Sequence, residues 1–401
     1  MLSSQSRPLI AASVPVLREH GAAISQCFYR NMLTEHSELK HLFNLGNQAN
    51  GSQQQALAAA VFAYAANIDN RQALAPVLER IAHKHAAVGI KASHYSIVGR
   101  HLLGAIQEVL GAAASPALLA AWDEAYWLLA AELTSAEAAL YRASGAGPGE
   151  WQSVRVCKLE RESEDVLSFY LQSADGASPG PFAPGQYISV LTQPGEWRQM
   201  RQYSLSDAPQ CNYWRISVKR EPAQAAQPAG LVSNWLHEHV QAGSVLQVSR
   251  AYGEFQPLAQ RTRPMVLLSA GIGVTPMMAV LNSLRRQDPQ RALLFLHAAR
   301  DGAHHALQAD LSRALEAMPH LRSLVAYETP REQDVAGMHY QHSGQLELRK
   351  ILRPADLEAD FWLCGPLGFM RAQWRSLIEL GVAPQRIRRE VFGPEMLEQL
   401  L

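Results

Sequence analysis

The feature that most constrains this chain is a change of texture at Ala143-Ser144-Gly145-Ala146-Gly147-Pro148-Gly149. Before that segment, apolar residues recur at helical spacing. Ile24 and Phe28 lie four apart, and Leu57, Val61, Tyr64 and Ile68 follow at four, three and four. Leu74, Leu78 and Ile81 lead to His85, and Val98, Leu102 and Ile106 repeat every fourth residue. Such spacing gathers side chains on one helix face, and a helix with one apolar stripe must bury it against another element. Residues 1–142 are therefore predicted to be all-α, and residues 143–150 to form a Gly/Pro/Ser linker.

After the linker the period shortens. Trp151 to Lys158, Val166 to Gln172, Gln186 to Leu191, Tyr203 to Leu205, Arg215 to Lys219 and Val245 to Arg250 read as short strands, with one helix near Ser233 to His239. Short, evenly spaced strands predict a small antiparallel β-barrel over 151–260. Over 261–401 strands alternate with helices. Met265 to Ala270, Arg291 to Ala298, Ser323 to Tyr327 and Phe361 to Cys364 are the strands, with helices beginning near Pro276 and over Ala306 to Ala317. That alternation predicts an α/β doubly wound parallel sheet. The fold class is thus multidomain, as 401 residues exceed what one core usually holds. No internal repeat is present.

Lys+Arg and Asp+Glu are equal at 36 each, with no run of like charge, so nucleic acid is excluded as a partner. Arg7 and the apolar stretch Leu9 to Leu17 loosely mimic a signal peptide, but Pro15 interrupts it, Arg18 closes it and the helical pattern continues through Phe28. No apolar run is long enough to span a bilayer. Cys27, Cys157, Cys211 and Cys364 show neither metal-ligand nor redox spacing, which predicts a reduced, cytoplasmic protein. With no readable oligomerisation element, a monomer is the default.

Gly271-Ile272-Gly273-Val274-Thr275-Pro276 lies where a strand must turn sharply into a helix. Glycines there let backbone N–H groups and a helix N-terminus meet a pyrophosphate, and proline suits the first helical turn. The third glycine of the usual fingerprint and the acidic ribose residue are both missing, so alone this is equally a bare turn. Its company is Arg201-Gln202-Tyr203-Ser204 in the barrel, Cys364-Gly365-Pro366 ending a late strand, and Val391-Phe392-Gly393-Pro394 near the C-terminus. In this order and spacing, residues 151–401 resemble the ferredoxin-NADP reductase superfamily. The resemblance implies that Tyr203 lies on the FAD ring, that Arg201 meets a phosphate, and that Gly230-Leu231-Val232-Ser233 cradles the pyrophosphate. It also makes Tyr187, after Pro184-Gly185-Gln186, an FAD contact. Phe392 would cover the flavin face, and Gly271 to Pro276 with Cys364 to Pro366 would seat NAD(P)H.

In the helical third, a histidine closing an apolar stripe reads first as a hydrogen-bonded core residue, and His83 and His94 show how common histidine is here. Spacing adds to that reading. Gln53 and Leu57 lie one turn apart, 32 residues before His85; Phe43 follows a short helical corner, and Tyr29 sits on the helix before it. Cys27-Phe28-Tyr29, Leu42-Phe43-Asn44, Gln53 to Leu57, Lys84-His85 and His94 to Val98 resemble the globin domain of bacterial flavohaemoglobins over residues 1–142. The resemblance implies His85 as the iron ligand of haem b, Phe43 stacked on haem, and Tyr29 with the Gln53–Leu57 pair on the distal side. Glu137 would accept the second His85 hydrogen bond and Tyr95 would position that carboxylate; without the resemblance Glu137 reads as a solvated helix position. Lys84 and Glu390 would tune the haem–flavin contact.

The implied activity is a nitric oxide dioxygenase, with hydride passed to FAD, electrons to haem, and nitric oxide attacking haem-bound O2 to give nitrate. Two alternatives stay open. One is an O2 carrier or sensor with a self-reducing module. The other is a lipid-binding or alkyl hydroperoxide-reducing protein, in which Ala58 to Ala60, Val61, Trp122 and Tyr126 line an apolar distal pocket for an acyl chain. NADH and NADPH are not distinguished: Arg300 suits a 2′-phosphate, and Asp301 beside it argues the other way.

Overall fold

A computed structural model describes residues 2–42, 52–68, 70–195, 198–223, 228–259 and 263–393. These fall into two compact units. One holds the described residues of Met1–Trp151 and Leu191–Arg201, with Gly393; the other holds those of Gln152–Val190 and Gln202–Phe392.

The first unit is built on five helices: α1 (Ser6–Glu35), α2 (Ser52–Ala66), α3 (Arg71–Val88), α4 (Ala92–Leu110) and α5 (Pro116–Ser144), with a 3-10 turn over Ser37–Leu42. Pro15 lies inside α1, which runs on through it. Ser115 caps α5 by accepting from the Leu118 N–H, and Pro116 takes the first helical position, where no N–H is needed. The helix extends to Ser144 and stops where Gly145 turns left-handed at φ 67°. The first two residues read as linker are thus the last two of α5, because only the glycine can supply that cap. The stripes read from sequence reach the core at Ile24 and Phe28 of α1, Tyr64 of α2, Leu74 of α3, and Leu102 and Ile106 of α4; Met32 of α1 and Trp122 and Leu133 of α5 join them without having been marked by any stripe.

The second segment begins with β1 (Gln152–Arg161), β2 (Val166–Gln172), β3 (Tyr187–Thr192), β4 (Gln199–Ser204), β5 (Trp214–Lys219), α6 (Leu231–His239) and β6 (Val245–Val248). Strand order is β4-β3-β6-β1-β2-β5, and an antiparallel bridge from Leu205 to Ile216 joins the two edges. The antiparallel barrel expected from the strand spacing is present.

The rest is a parallel sheet: β7 (Met265–Ala270), α7 (Val274–Gln287), β8 (Leu293–Ala299), α8 (Gln308–Ala317), β9 (Leu321–Tyr327), β10 (His342–Ser343), α9 (Leu348–Ile351), β11 (Asp360–Cys364), α10 (Leu367–Glu379) and β12 (Ile387–Glu390). Its order, β10-β9-β8-β7-β11-β12, reverses direction at β7. Ligands of open α/β sheets bind where the order reverses, outside the carboxyl ends of the strands, so the crevice between β7 and β11 is marked by topology alone.

Barrel and parallel sheet are joined by buried charge. Arg215 of β5 donates to Asp310 of α8 (2.9 Å), while Asn282 of α7 donates to both Asp207 and Asp310 (3.0 Å each). Burial opposes the Asp310 carboxylate, but Arg215 and Asn282 outweigh it and hold that carboxyl below its usual range.

Candidate functional site

Three helices of the first unit converge on one histidine. His85 of α3 places Nδ1 2.8 Å from Glu137 Oε1 and 3.1 Å from the Tyr95 hydroxyl, and Tyr95 donates to the same Oε1 at 2.5 Å. An ionised carboxylate only accepts, so the His85 proton is assigned to Nδ1 and the lone pair to Nε2. Glu137 is inward because it shares a face of α5 with Leu133 and Tyr141, all buried. Its side chain is 3% exposed, which overturns the solvated-helix reading. Burial first, and the Glu137 hydrogen bond second, push the Tyr95 hydroxyl far above the phenol range, so it stays a proton donor.

The His85 ring is not the enclosed core residue its stripe suggested. Its side chain is 33% exposed, with Nδ1 turned to Glu137 and Nε2 hydrogen-bonded to no described residue. A carboxylate on one ring nitrogen, orienting a lone pair on the other, is the donor chemistry of a metal-bound imidazole. These residues fit a haem iron. Two supports were missed in the sequence: Tyr126 donates to the Tyr95 backbone carbonyl, and Tyr141 donates to the Ile90 carbonyl. Their partners lie 31 and 51 residues away, and no local pattern announces them.

Tyr29 of α1 is buried and borders an open cavity of about 530 Å³ with Gln26, Leu33 and Thr34. Leu57 of α2 is half-buried and packs on the core. Phe43 lies outside the described residues, as do the side chains of Gln53, Ala58 and Ala59. Trp122 and Tyr126, weighed as walls of an acyl pocket, are committed to the core: Trp122 donates to Ser13 (3.2 Å), and Tyr126 braces Tyr95. Lys84 donates to the Gly393 carbonyl at 3.3 Å.

The second constellation is made of backbone. Gly271 adopts φ 52°, and α7 begins at Val274, whose N–H donates back to the Gly271 and Ile272 carbonyls; with Pro276 lacking an N–H, any amide the 271–276 turn offers a ligand comes from its other residues. A Cβ on Gly273 would stand 2.4 Å from the Cys364 carbonyl oxygen. The glycine therefore lets the β7 turn lie directly against Cys364-Gly365-Pro366 at the end of β11, bringing together two motifs some 90 residues apart at the sheet's reversal point. Ile272 is half-buried; Thr275 and Pro276 are buried, and Thr275 donates to the Ile272 carbonyl (3.0 Å). The turn fits a pyrophosphate. Glu390 pairs in register with Cys364 and is buried, as is Val391, whereas Phe392 is 46% exposed. Burial, and then Glu390, push the Cys364 thiol well up, so it is a protonated wall and not a nucleophile. Pro394 lies outside the described residues.

In the barrel, Tyr187 and Ser204 are buried, Arg201 and Tyr203 half-buried, and Gln202 exposed. The Gly230 N–H donates to Glu221 (3.0 Å), and Ser233 donates its hydroxyl to the Gly230 carbonyl (3.3 Å). The amide of Gly230 is therefore spent inside the turn, and the expected phosphate cradle narrows to the first-turn amides of Leu231, Val232 and Ser233. With those amides and the half-buried Tyr203 and Arg201, the barrel fits a flavin dinucleotide. Asp301 is tied down by Arg331 (2.9 Å) and His304 (2.7 Å), while Arg300 at the end of β8 is exposed.

Family patterns match in the same order: globin over residues 26–133, oxidoreductase FAD-binding domain over 153–256, and oxidoreductase NAD-binding domain over 267–374. The flavohemoprotein of Chromobacterium violaceum is 51% identical over 399 residues, covering 98% of each chain. The chain belongs to the flavohemoprotein family. The flavohemoprotein of Bordetella parapertussis is 47% identical over 98% of this chain and 99% of its own. Among solved structures, the flavohemoglobin of Malassezia yamatoensis with bound FAD and heme superposes with a TM-score of 0.86 at 29% identity, covering 98% of this chain and all of that one. The flavohem-like FAD/NAD-binding domain of the nitric oxide dioxygenase from Vibrio cholerae is 35% identical, covers 61% of this chain and 99% of its own, and has a TM-score of 0.55. As a member of this family the chain is an oxidoreductase with haem, FAD and NAD as its cofactors. No helix among the described residues is long and apolar enough to cross a membrane.

Proposed function

We propose that the chain is a nitric oxide dioxygenase: 2 NO + 2 O2 + NAD(P)H give 2 nitrate + NAD(P)+ + H+. The observation that carries this reading is the buried Glu137 carboxylate on His85 Nδ1. When bound, FAD splits a hydride into single electrons, and haem supplies the iron at which O2 is reduced. A carboxylate partner drives His85 toward imidazolate character and strengthens its electron donation, which favours oxygen chemistry over reversible storage. Tyr95 keeps its proton and fixes the carboxylate, so that the charge stays on the His85 side. Opposite, Tyr29 offers a hydroxyl donor to negative charge developing on oxygen, with Gln53 as its partner donor; stabilising such charge is the usual largest catalytic contribution. The Gly271–Pro276 turn and Cys364–Pro366 hold the dinucleotide, and Tyr203 with Arg201 and the α6 amides hold FAD. Phe392 would cover the flavin face, and Lys84 donates to the Gly393 carbonyl that follows it.

The four cysteines are free thiols, which supports a cytoplasmic setting. The decisive experiment is NAD(P)H-dependent nitric oxide consumption by holoprotein with nitrate measured alongside. One nitrate per nitric oxide is expected; an O2 carrier would give none beyond a single turnover. Tyr29→Phe should lower turnover and speed O2 release by about tenfold to a hundredfold, the effect of losing one hydrogen bond to developing charge. An unchanged O2 release rate would remove Tyr29 from this role.

A further inference from the structure

Glu35 ends α1, His36 caps it, and His101 lies on the facing side of α4. One ligand atom from each lies within 4.8 Å of the other two. His101 is 8% exposed, and its Nε2 is buried without a hydrogen bond among the described residues; Glu35 Oε2 stands 3.5 Å away. Leaving a buried ring nitrogen in this state is costly unless something else engages it. His36 is oriented from behind: Glu38 Oε1 lies 3.1 Å from its Nδ1. Its Nε2 faces an Arg100 guanidinium nitrogen at 3.0 Å, and the same nitrogen donates to Glu35 Oε1 at 2.8 Å. A guanidinium can only donate, so the His36 lone pair is on Nε2 and its proton on Nδ1, toward Glu38. That is the tautomer of a metal ligand with a carboxylate behind it. Arg100, largely exposed, thus stands as a cation bridging two of the three groups. The C-terminal end of α1 adds its own negative potential.

We propose that Glu35, His36 and His101 form a binding site for a zinc-class divalent cation, with Glu38 orienting His36 and Arg100 competing for the position. Two imidazoles and a carboxylate suit zinc, with water completing a tetrahedron. Glu35 lies six residues beyond Tyr29 on α1, and His101 six beyond Tyr95 on α4. The cation would therefore staple the helix of the distal tyrosine to the helix of the proximal one, about 9 Å along each axis from those side chains.

The test is titration of the full-length holoprotein with Zn2+ against a chromophoric chelator, with zinc per chain counted after desalting. Fifteen histidines offer background sites, so the variants decide. Glu38→Gln should weaken one site by about tenfold to a hundredfold, the usual effect of removing an orienting carboxylate, and His36→Gln or Glu35→Gln should weaken it further. Arg100→Ala should tighten it. These residues are exposed or half-buried, so the variants should fold, and haem absorbance checks this. Zinc binding that is the same in His36→Gln as in the unaltered protein, or weaker in Arg100→Ala, would overturn the proposal.

Discussion

The His85 site and the β7–β11 crevice, each proposed to hold a cofactor, are built from opposite materials. Around His85 everything is side chain: a ring, a phenol and a carboxylate from three helices, within 3.1 Å of one another. In the crevice almost everything is main chain, and the side chains that matter are those left out, at Gly271 and Gly273. The first is sensitive to chemistry and indifferent to bulk elsewhere; the second is sensitive to a single carbon.

The largest effect expected from this contrast is at His85. His85→Ala should abolish haem binding, measured as haem per chain, while FAD content and NAD(P)H-driven dye reduction stay within about twofold, since sites without shared partners act independently. Loss of flavin in that variant would show the two sites to be coupled. The reverse variant is Gly273→Val. Its Cβ falls 2.4 Å from the Cys364 carbonyl oxygen, backbone against backbone. Overpacking of this kind costs about 1–3 kcal/mol, and dye reduction should fall about tenfold or more with haem retained.

Next comes Glu137→Gln, nearly the same shape without the charge. An orienting carboxylate is worth about tenfold to a hundredfold in metal affinity or activity, to be read in the rate of haem transfer to an acceptor apoglobin. A rate equal to that of the unaltered protein would mean that hydrogen bonding, not charge, is what Glu137 provides. The smallest effect belongs to the parallel sheet. Burial, with His339 adding repulsion, pushes His305 down to about 4, and burial with His305 beside it pushes His297 well below its usual range. Unfolded histidines take protons near pH 6.5. Between that pH and about 4 the unfolded chain binds protons that the folded chain refuses. Stability is therefore full above pH 6.5 and falls as pH drops, by about 1.4 kcal/mol per unit per histidine. Urea titrations from pH 7 to 4 should show this slope, and His305→Gln should make it shallower.

The same contrast explains what could be read from the sequence. Fold texture was legible because it is periodic: residues of the α1, α2, α3 and α4 stripes became core, and β2 and β7 have the ends that their apolar runs predicted. β12 was missed because Ile387-Arg388-Arg389-Glu390 is a short, charged edge strand with no alternation of its own. Glycine motifs were visible as local strings, though not that Gly273 exists for the sake of Cys364. Glu137 was the hardest. A glutamate on a mostly helical face carries no mark of the histidine 52 residues away that makes it functional. Tyr126 followed the same rule, its role being set by a partner 31 residues away.

The Arg215 network has a mechanical consequence. Its guanidinium, on the barrel, is 2% exposed, and its counter-charge sits on α8 of the parallel sheet. Prising the two sheets apart would break this buried, hydrogen-bonded ion pair. Turning the exposed ring of Phe392, just beyond the last strand of the sheet, would instead leave it intact.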